Sequence, residues 1–65
     1  MLEYELPRPD LLRPDEVRRL LQIGRSKVYE MIAHGELPVV RIGRVVRIPR
    51  GELERWIAER TTRAA

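Results

Sequence analysis

The sequence predicts a mostly α-helical fold carrying one small β-hairpin. Three observations carry that reading. Two stretches of helical apolar spacing lie on either side of a short break at Gln22-Ile23-Gly24. Two β-branched runs, Val39 to Ile42 and Val45 to Ile48, flank Gly43-Arg44, which is a hairpin signature. A further helical pattern follows Pro49, with Leu53, Trp56 and Ile57 at core spacing.

Size and composition bound what such a fold can be. A chain of 65 residues makes one domain, near the lower limit at which a core forms without staples, where about 60% of the unfolded surface is buried. Cysteine is absent, so no disulfide or thiolate metal site contributes, and a reducing compartment is permitted. The core must come from Leu, Ile and Val, since there is no Phe and a single Trp. Glu3, Glu5 and Pro7 interrupt the stretch where an export signal needs a basic start and an apolar run, so neither export nor membrane insertion is expected. The formal charge is +3, and its distribution says more than its size. Between Gly24 and Arg50, Arg25, Lys27, Arg41, Arg44, Arg47 and Arg50 stand against Glu30 and Glu36, a balance of +4. The remaining seven cations and eight anions give −1, so the positive charge is concentrated in the centre of the chain.

The elements follow from local chemistry. In residues 1–11, Leu2, Tyr4 and Leu6 alternate with Glu3 and Glu5 before Pro7 and Pro9; this is read as an N-terminal arm in preference to a short edge strand. The domain proper is expected over residues 12–60. Pro14 opens the first helix because its fixed φ and missing N–H suit the first helical position, and Asp15 and Glu16 complement the dipole there. Val17, Leu20 and Leu21 form its apolar stripe. The second helix runs from Arg25 to His34 with Val28, Met31 and Ile32 inward, His34 placed to cap terminal carbonyls, and Gly35 as the left-handed stop.

The hairpin register can be argued too. A two-residue turn at Gly43-Arg44 would mix apolar and charged residues on each face. One extra loop residue puts Val40, Ile42, Val46 and Ile48 on one face and Val39, Arg41, Val45 and Arg47 on the other. An odd-length loop or bulge near Gly43, with the arginines facing out, is therefore expected. The third helix reaches about Arg60, and residues 61–65 form a flexible tail.

Two helices joined this closely suggest a helix-turn-helix, and Val17, Leu21, Ile23, Val28 and Met31 recur at the steps that steeply crossed helices require. With a hairpin and a third helix appended, the architecture is a winged helix-turn-helix. Arg25, Ser26, Lys27, Tyr29 and Glu30 gather at the start of the second helix, the part of a recognition helix that meets base edges in the major groove of double-stranded DNA. Arg41, Arg44 and Arg47 line the wing, and Arg44 at its tip suits an adjacent minor groove. Tyr29 has two equal roles open to it, phosphate contact and packing against the hairpin base. Trp56 is read as core rather than a base-stacking platform. Glu52, Glu54 and Glu59 read as a solvated face, with Arg55 as a partner. A lone His34 without cysteines or paired carboxylates makes no metal site. A nucleophile with a positioned base is absent, so no catalytic residue and no enzyme is expected.

At these residues the chain resembles the excisionase-like branch of the mercury-resistance-regulator (MerR) type winged helix-turn-helix domains. The resemblance runs from Leu12 to about Glu59 and is carried by Arg25-Ser26-Lys27-Val28-Tyr29, by Gly35-Glu36-Leu37-Pro38-Val39-Val40-Arg41-Ile42-Gly43-Arg44, by Arg47-Ile48-Pro49 and by Leu53 with Trp56-Ile57. It implies that Arg25, Ser26, Lys27 and Tyr29 enter the major groove while Arg41, Arg44 and Arg47 hold neighbouring backbone or minor groove. Four positions depart from the pattern. Arg18 stands where a small residue is preferred, Gln22 where Gly is frequent, Val46 where an aromatic is frequent, and Glu30 where a basic residue is common. Glu30 can instead accept from a cytosine amino group.

The MerR regulators proper continue into a dimerising helix and an effector-binding region, so with few residues beyond the third helix no small-molecule ligand or cofactor is expected. One module reads about half a site, which implies cooperative self-association on DNA or a larger partner. The resemblance then implies a cytoplasmic, prokaryotic or phage-encoded excisionase, a recombination directionality factor that bends DNA to assist an integrase. A small phage or mobile-element transcription regulator would use the same surface. A protein-interaction adaptor, such as a packaging-complex subunit, would use the fold as a scaffold.

Overall fold

The computed structural model describes residues 10–63. The arm reading of Leu2, Tyr4 and Leu6 falls outside those residues. The chain forms β1 (Leu11–Leu12), α1 (Pro14–Leu21), α2 (Arg25–Ala33), β2 (Val40–Ile42), β3 (Val45–Pro49) and α3 (Arg50–Arg60). The strands make a three-stranded antiparallel sheet in the order β1-β3-β2. This is a winged helix-turn-helix, as the sequence predicts. Leu11 and Leu12, which straddle the expected edge of the arm, are a small addition: they pair with Pro49 and Ile48. The Arg50 N–H donates to the Asp10 carbonyl at 2.8 Å beside them.

Local chemistry sets the helix ends. Arg13 is extended and donates its N–H to Glu16 Oε1 at 2.8 Å, Pro14 follows at the first helical position, and Asp15 and Glu16 sit against the positive end of the dipole. α1 stops because Gln22 turns left-handed, φ 57° and ψ 46°, so that Ile23 donates its N–H to the Arg18 carbonyl at 3.2 Å. α2 stops at Gly35, φ 72°, where Gly35 donates to Ile32 and Glu36 to Met31 in a Schellman arrangement. His34 takes part through its backbone N–H, which donates to Glu30. The chain then returns at once to the core through buried Leu37.

That core is Leu12, Val17, Val28, Met31, Ile32, Leu37, Ile48 and Leu53, with Leu21, Ile23, Val39, Val46 and Trp56 packed against it. Each fully buried aliphatic contributes about 1.5–3 kcal/mol relative to exposure. Two expected core residues lie elsewhere. Leu20 is 58% exposed and Ile57 40% exposed. Both helices are short and meet the domain along a narrow seam, which takes Val17 and Leu21 from α1 and Leu53 and Trp56 from α3, leaving the flanking residue in water. Trp56 is half-buried, and its indole N–H donates to the Glu36 carbonyl at 2.7 Å, tying α3 to the loop after α2.

The hairpin register differs from the one expected. Val40 pairs with Arg47, Arg41 with Val46 and Ile42 with Val45, so Gly43-Arg44 is a two-residue turn with no extra residue. Directly paired residues share a face. Arg41, Val46 and Ile48 therefore lie on the core side, and Val40, Ile42, Val45 and Arg47 on the other. Turn chemistry decides this. Gly43 has φ 60° while Arg44 does not enter positive φ, the pattern of a type II′ turn, whose twist matches the flanking strands. β2 is exposed along its whole length, so burial has no hold on its register.

Two stability outcomes follow. Gln22→Gly should raise stability by up to about 1 kcal/mol, because a left-handed side chain costs more than the extra unfolded-state freedom of glycine; no rise in thermal midpoint would contradict it. Ile48→Ala, at a fully buried position shared by sheet and helices, should cost about 2–5 kcal/mol in urea unfolding.

Candidate nucleic-acid interface

Burial on one side of α2 fixes what lies on the other. Val28, Met31 and Ile32 face the core, so Arg25, Ser26, Lys27, Tyr29 and Glu30 are all exposed, as expected. Intrahelical bonding begins when Val28 donates to the Gly24 carbonyl at 3.2 Å, which leaves the amides of Arg25, Ser26 and Lys27 without an intrahelical acceptor. Gly24 offers no capping side chain and the first turn has no acidic residue. α1, by contrast, is closed by Asp15 and Glu16. Of the starts of α1 and α2, only that of α2 is left open to an incoming anion.

The side chains there are lightly constrained. Lys27 Nζ lies 4.0 Å from Glu30 Oε1, an exposed pair one turn apart whose net worth is a few tenths of a kcal/mol. That contact leans Lys27 toward Glu30 and leaves both free to exchange it for a partner. The Arg25 guanidinium lies 5.8 Å from the centre of the Tyr29 ring. Tyr29 is 48% exposed and lines a cleft with Pro14, Asp15, Arg18, Arg25 and Val28, all from the helical half of the molecule and none from the hairpin.

The wing arginines divide. Arg44 sits exposed at the tip. Arg41 and Arg47, expected together on one outer face, lie on opposite faces because the turn has two residues. Arg47 is half-buried and donates Nη1 to the Val46 carbonyl at 2.8 Å, while Arg41 is exposed. Arg47 shares its face with Val40, Ile42 and Val45.

Arg18 was not among the residues read from sequence as candidates for this surface. Its signal was present, since it occupies a position where related motifs prefer a small side chain. Asp15 holds it through Nε at 3.3 Å and holds Arg19 Nη2 at 2.8 Å. On α3, Glu52 pairs with Arg55 at 3.3 Å as expected, and the Arg60 guanidinium stacks 4.1 Å from the Trp56 ring centre. Among the described residues, no group of three or more His, Cys, Asp or Glu side chains is placed to hold a metal ion. No described helix is long and apolar enough to cross a membrane.

A family model described as a helix-turn-helix domain matches residues 11–61. The chain belongs to this helix-turn-helix family. A Saccharopolyspora erythraea protein named as a probable excisionase is 43% identical over 53 residues, 82% of this chain and 54% of that protein. A Mycobacterium tuberculosis protein named for DNA binding, matched in two strains, is 36% identical over 47 residues, 72% of this chain and 60% of that protein. The chain thus spans little more than half the length of the curated relatives it matches. No solved structure matches. Helix-turn-helix domains of this family are DNA-binding rather than catalytic modules, and double-stranded DNA is the partner to which the open start of α2 is suited.

The wing geometry gives its own outcome. Gly43→Ala should cost about 1–2 kcal/mol, since only glycine holds φ 60° in this turn without strain. A thermal midpoint equal to the parent's would mean that the turn relaxes to another type.

Proposed function

We propose that this chain is a sequence-reading duplex-DNA module that acts as an excisionase, bending its site so that an integrase can assemble for excision. One observation carries the DNA reading. A single exposed face presents Arg25, Ser26, Lys27, Tyr29 and Glu30 around a helix start with neither cap nor acidic neighbour. Base readout is assigned to Lys27 and Ser26, whose donors suit guanine and adenine edges, and to Glu30, whose carboxylate suits a cytosine amino group, while Arg25 is assigned to the neighbouring backbone. Tyr29 is assigned to the backbone beside them. The wing supplies anchoring: Arg44 enters the adjacent groove and Arg41 holds phosphate, while Arg47, on the opposite face of the ribbon and bonded to the Val46 carbonyl, serves the wing's shape.

Likeness to the probable excisionase of S. erythraea supports the recombination role over other uses of the surface. On this reading the chain makes and breaks no bonds. Its contribution is geometric: adjacent copies, or one copy beside a larger protein, would hold a bend whose elastic cost is of order 1–6 kcal/mol, offset by the contacts the bend allows. A single small module seldom supplies that alone, which is why cooperative self-association or an integrase contact belongs to the proposal.

Two measurements test it. Duplex affinity against salt should fall with a log-log slope near −4 to −5, from about four to six phosphate contacts, and a flat dependence would remove the DNA reading. On a site selected from a random duplex library, Arg44→Ala should weaken all sequences and lower the slope by about 1, whereas Lys27→Ala should cost about 1–3 kcal/mol at one base position and relax preference there. Equal, sequence-independent losses from both would contradict base readout by α2. For the role, bound duplexes should migrate as bent in circular-permutation gels, and expressing the chain should raise excised product from an element bearing its site. Binding without a bend or excision would instead indicate a transcription regulator.

A further inference from the structure

Between the start of α1 and the first turns of α2 lies a cleft of about 230 Å³ lined by Pro14, Asp15, Arg18, Arg25, Val28 and Tyr29. Two guanidiniums from different helices and a phenol share it with one carboxylate. That carboxylate is engaged by two cations: Asp15 Oδ2 takes Arg19 Nη2 at 2.8 Å and Asp15 Oδ1 takes Arg18 Nε at 3.3 Å. Its charge is thereby spread over Arg19 and Arg18. With Arg18 held at Nε, its terminal nitrogens can offer the fork that matches a phosphate. Arg25 approaches from the other helix, lying 5.8 Å from the Tyr29 ring centre. The floor is apolar at Val28, fully buried, and at Pro14, which has no N–H to offer.

We infer that this cleft is a phosphate clamp: it takes one backbone phosphodiester of the bound duplex between Arg18 and Arg25, with the Tyr29 hydroxyl as a third donor and Asp15 as the positioning group that presents Arg18. The inference rests on the proposed binding of duplex DNA through α2. It adds to that reading a fixed register for the recognition helix. The clamp reaches α1 as well as α2, so it sets how deep and at what angle α2 enters the groove, which phosphate contacts do while bases specify. It also gives a use to the arginine at a position where related motifs prefer a small residue. A small side chain there would leave Arg25 without a facing guanidinium from α1.

The experiment uses the full chain and a duplex selected by it from a random library, together with copies of that duplex carrying one neutral methylphosphonate at successive positions. With the wild-type chain, one methylphosphonate flanking the bases read by α2 should weaken binding about tenfold, the worth of a charge-assisted hydrogen bond. Arg18→Met, which keeps the side-chain stem, should weaken binding to the unmodified duplex about tenfold and lower the salt slope by about 1. It should lose nothing further at that one methylphosphonate and the usual amount at the others. Tyr29→Phe, which removes only the hydroxyl, should show the same single-position coupling at smaller size. Thermal melting should be unchanged in both variants. If Arg18→Met binds as the wild type does, or its losses add equally at every phosphate, the clamp is overturned while duplex binding stands. If the wild-type chain recovers no duplex, the reading on which the clamp rests falls as well.

Discussion

β3 is the strand on which the remaining elements depend. It lies in the middle of the sheet, pairs with β1 on one edge and β2 on the other, and also packs against α1 and α3. Ile48 is its fully buried residue, and Leu12 from β1 pairs directly with it. In a chain this small the same side chain must serve sheet, helix-turn-helix and closing helix together. The wing and the α1–α2 pair are therefore rigidly related through one strand. A duplex touching both would meet them at a fixed separation.

A core of eight buried residues among those described also explains why so much of each helix is polar. α2 gives Val28, Met31 and Ile32 to the interior and keeps the rest of its first turns for a partner. The left-handed Gln22 belongs to the same economy of space. It lets α1 end abruptly, so that Ile23 packs against the core and Gly24 starts α2 one residue later. The conformational cost sits in the turn, outside both the core and the exposed face of α2, where a side chain can bear it without disturbing either.

Much of this was legible in the sequence because it is local. Pro14 with Asp15 and Glu16 starts a helix, Gly35 stops one, and Val28, Met31 and Ile32 mark a buried face; each rests on chemistry within a turn or two. The face of α2 followed with no further information. The hairpin register is not legible from apolar alternation, which points to an odd loop length. That rule needs one buried face on both strands, and β2 has none. Gly43 at the first turn position held the answer, since a glycine there followed by an ordinary residue is the signal for a two-residue II′ turn. Leu20 and Ile57 fit helical spacing yet lie outside narrow seams whose width only the tertiary packing sets. Arg18 could be noticed as unusual from sequence, but its place beside Arg25 depends on how α1 crosses α2.

The corrected register changes what the wing can do. With an odd loop, Arg41 and Arg47 would have stood side by side on one outer face, a continuous basic strip with Arg44. With the two-residue turn they point to opposite sides of a thin ribbon, and one flat surface can meet only one of them together with the tip. Arg47 already spends a nitrogen on the Val46 carbonyl and shares its side with Val40, Ile42 and Val45, an apolar setting that suits holding the ribbon's shape. Arg41 and Arg44 keep their guanidiniums in solvent. The wing is thus better understood as a stiff ribbon ending in one exposed arginine than as a basic sheet. On the proposed reading its contribution to a bound duplex is concentrated at the tip, and the α1–α2 crossing is left to supply the rest.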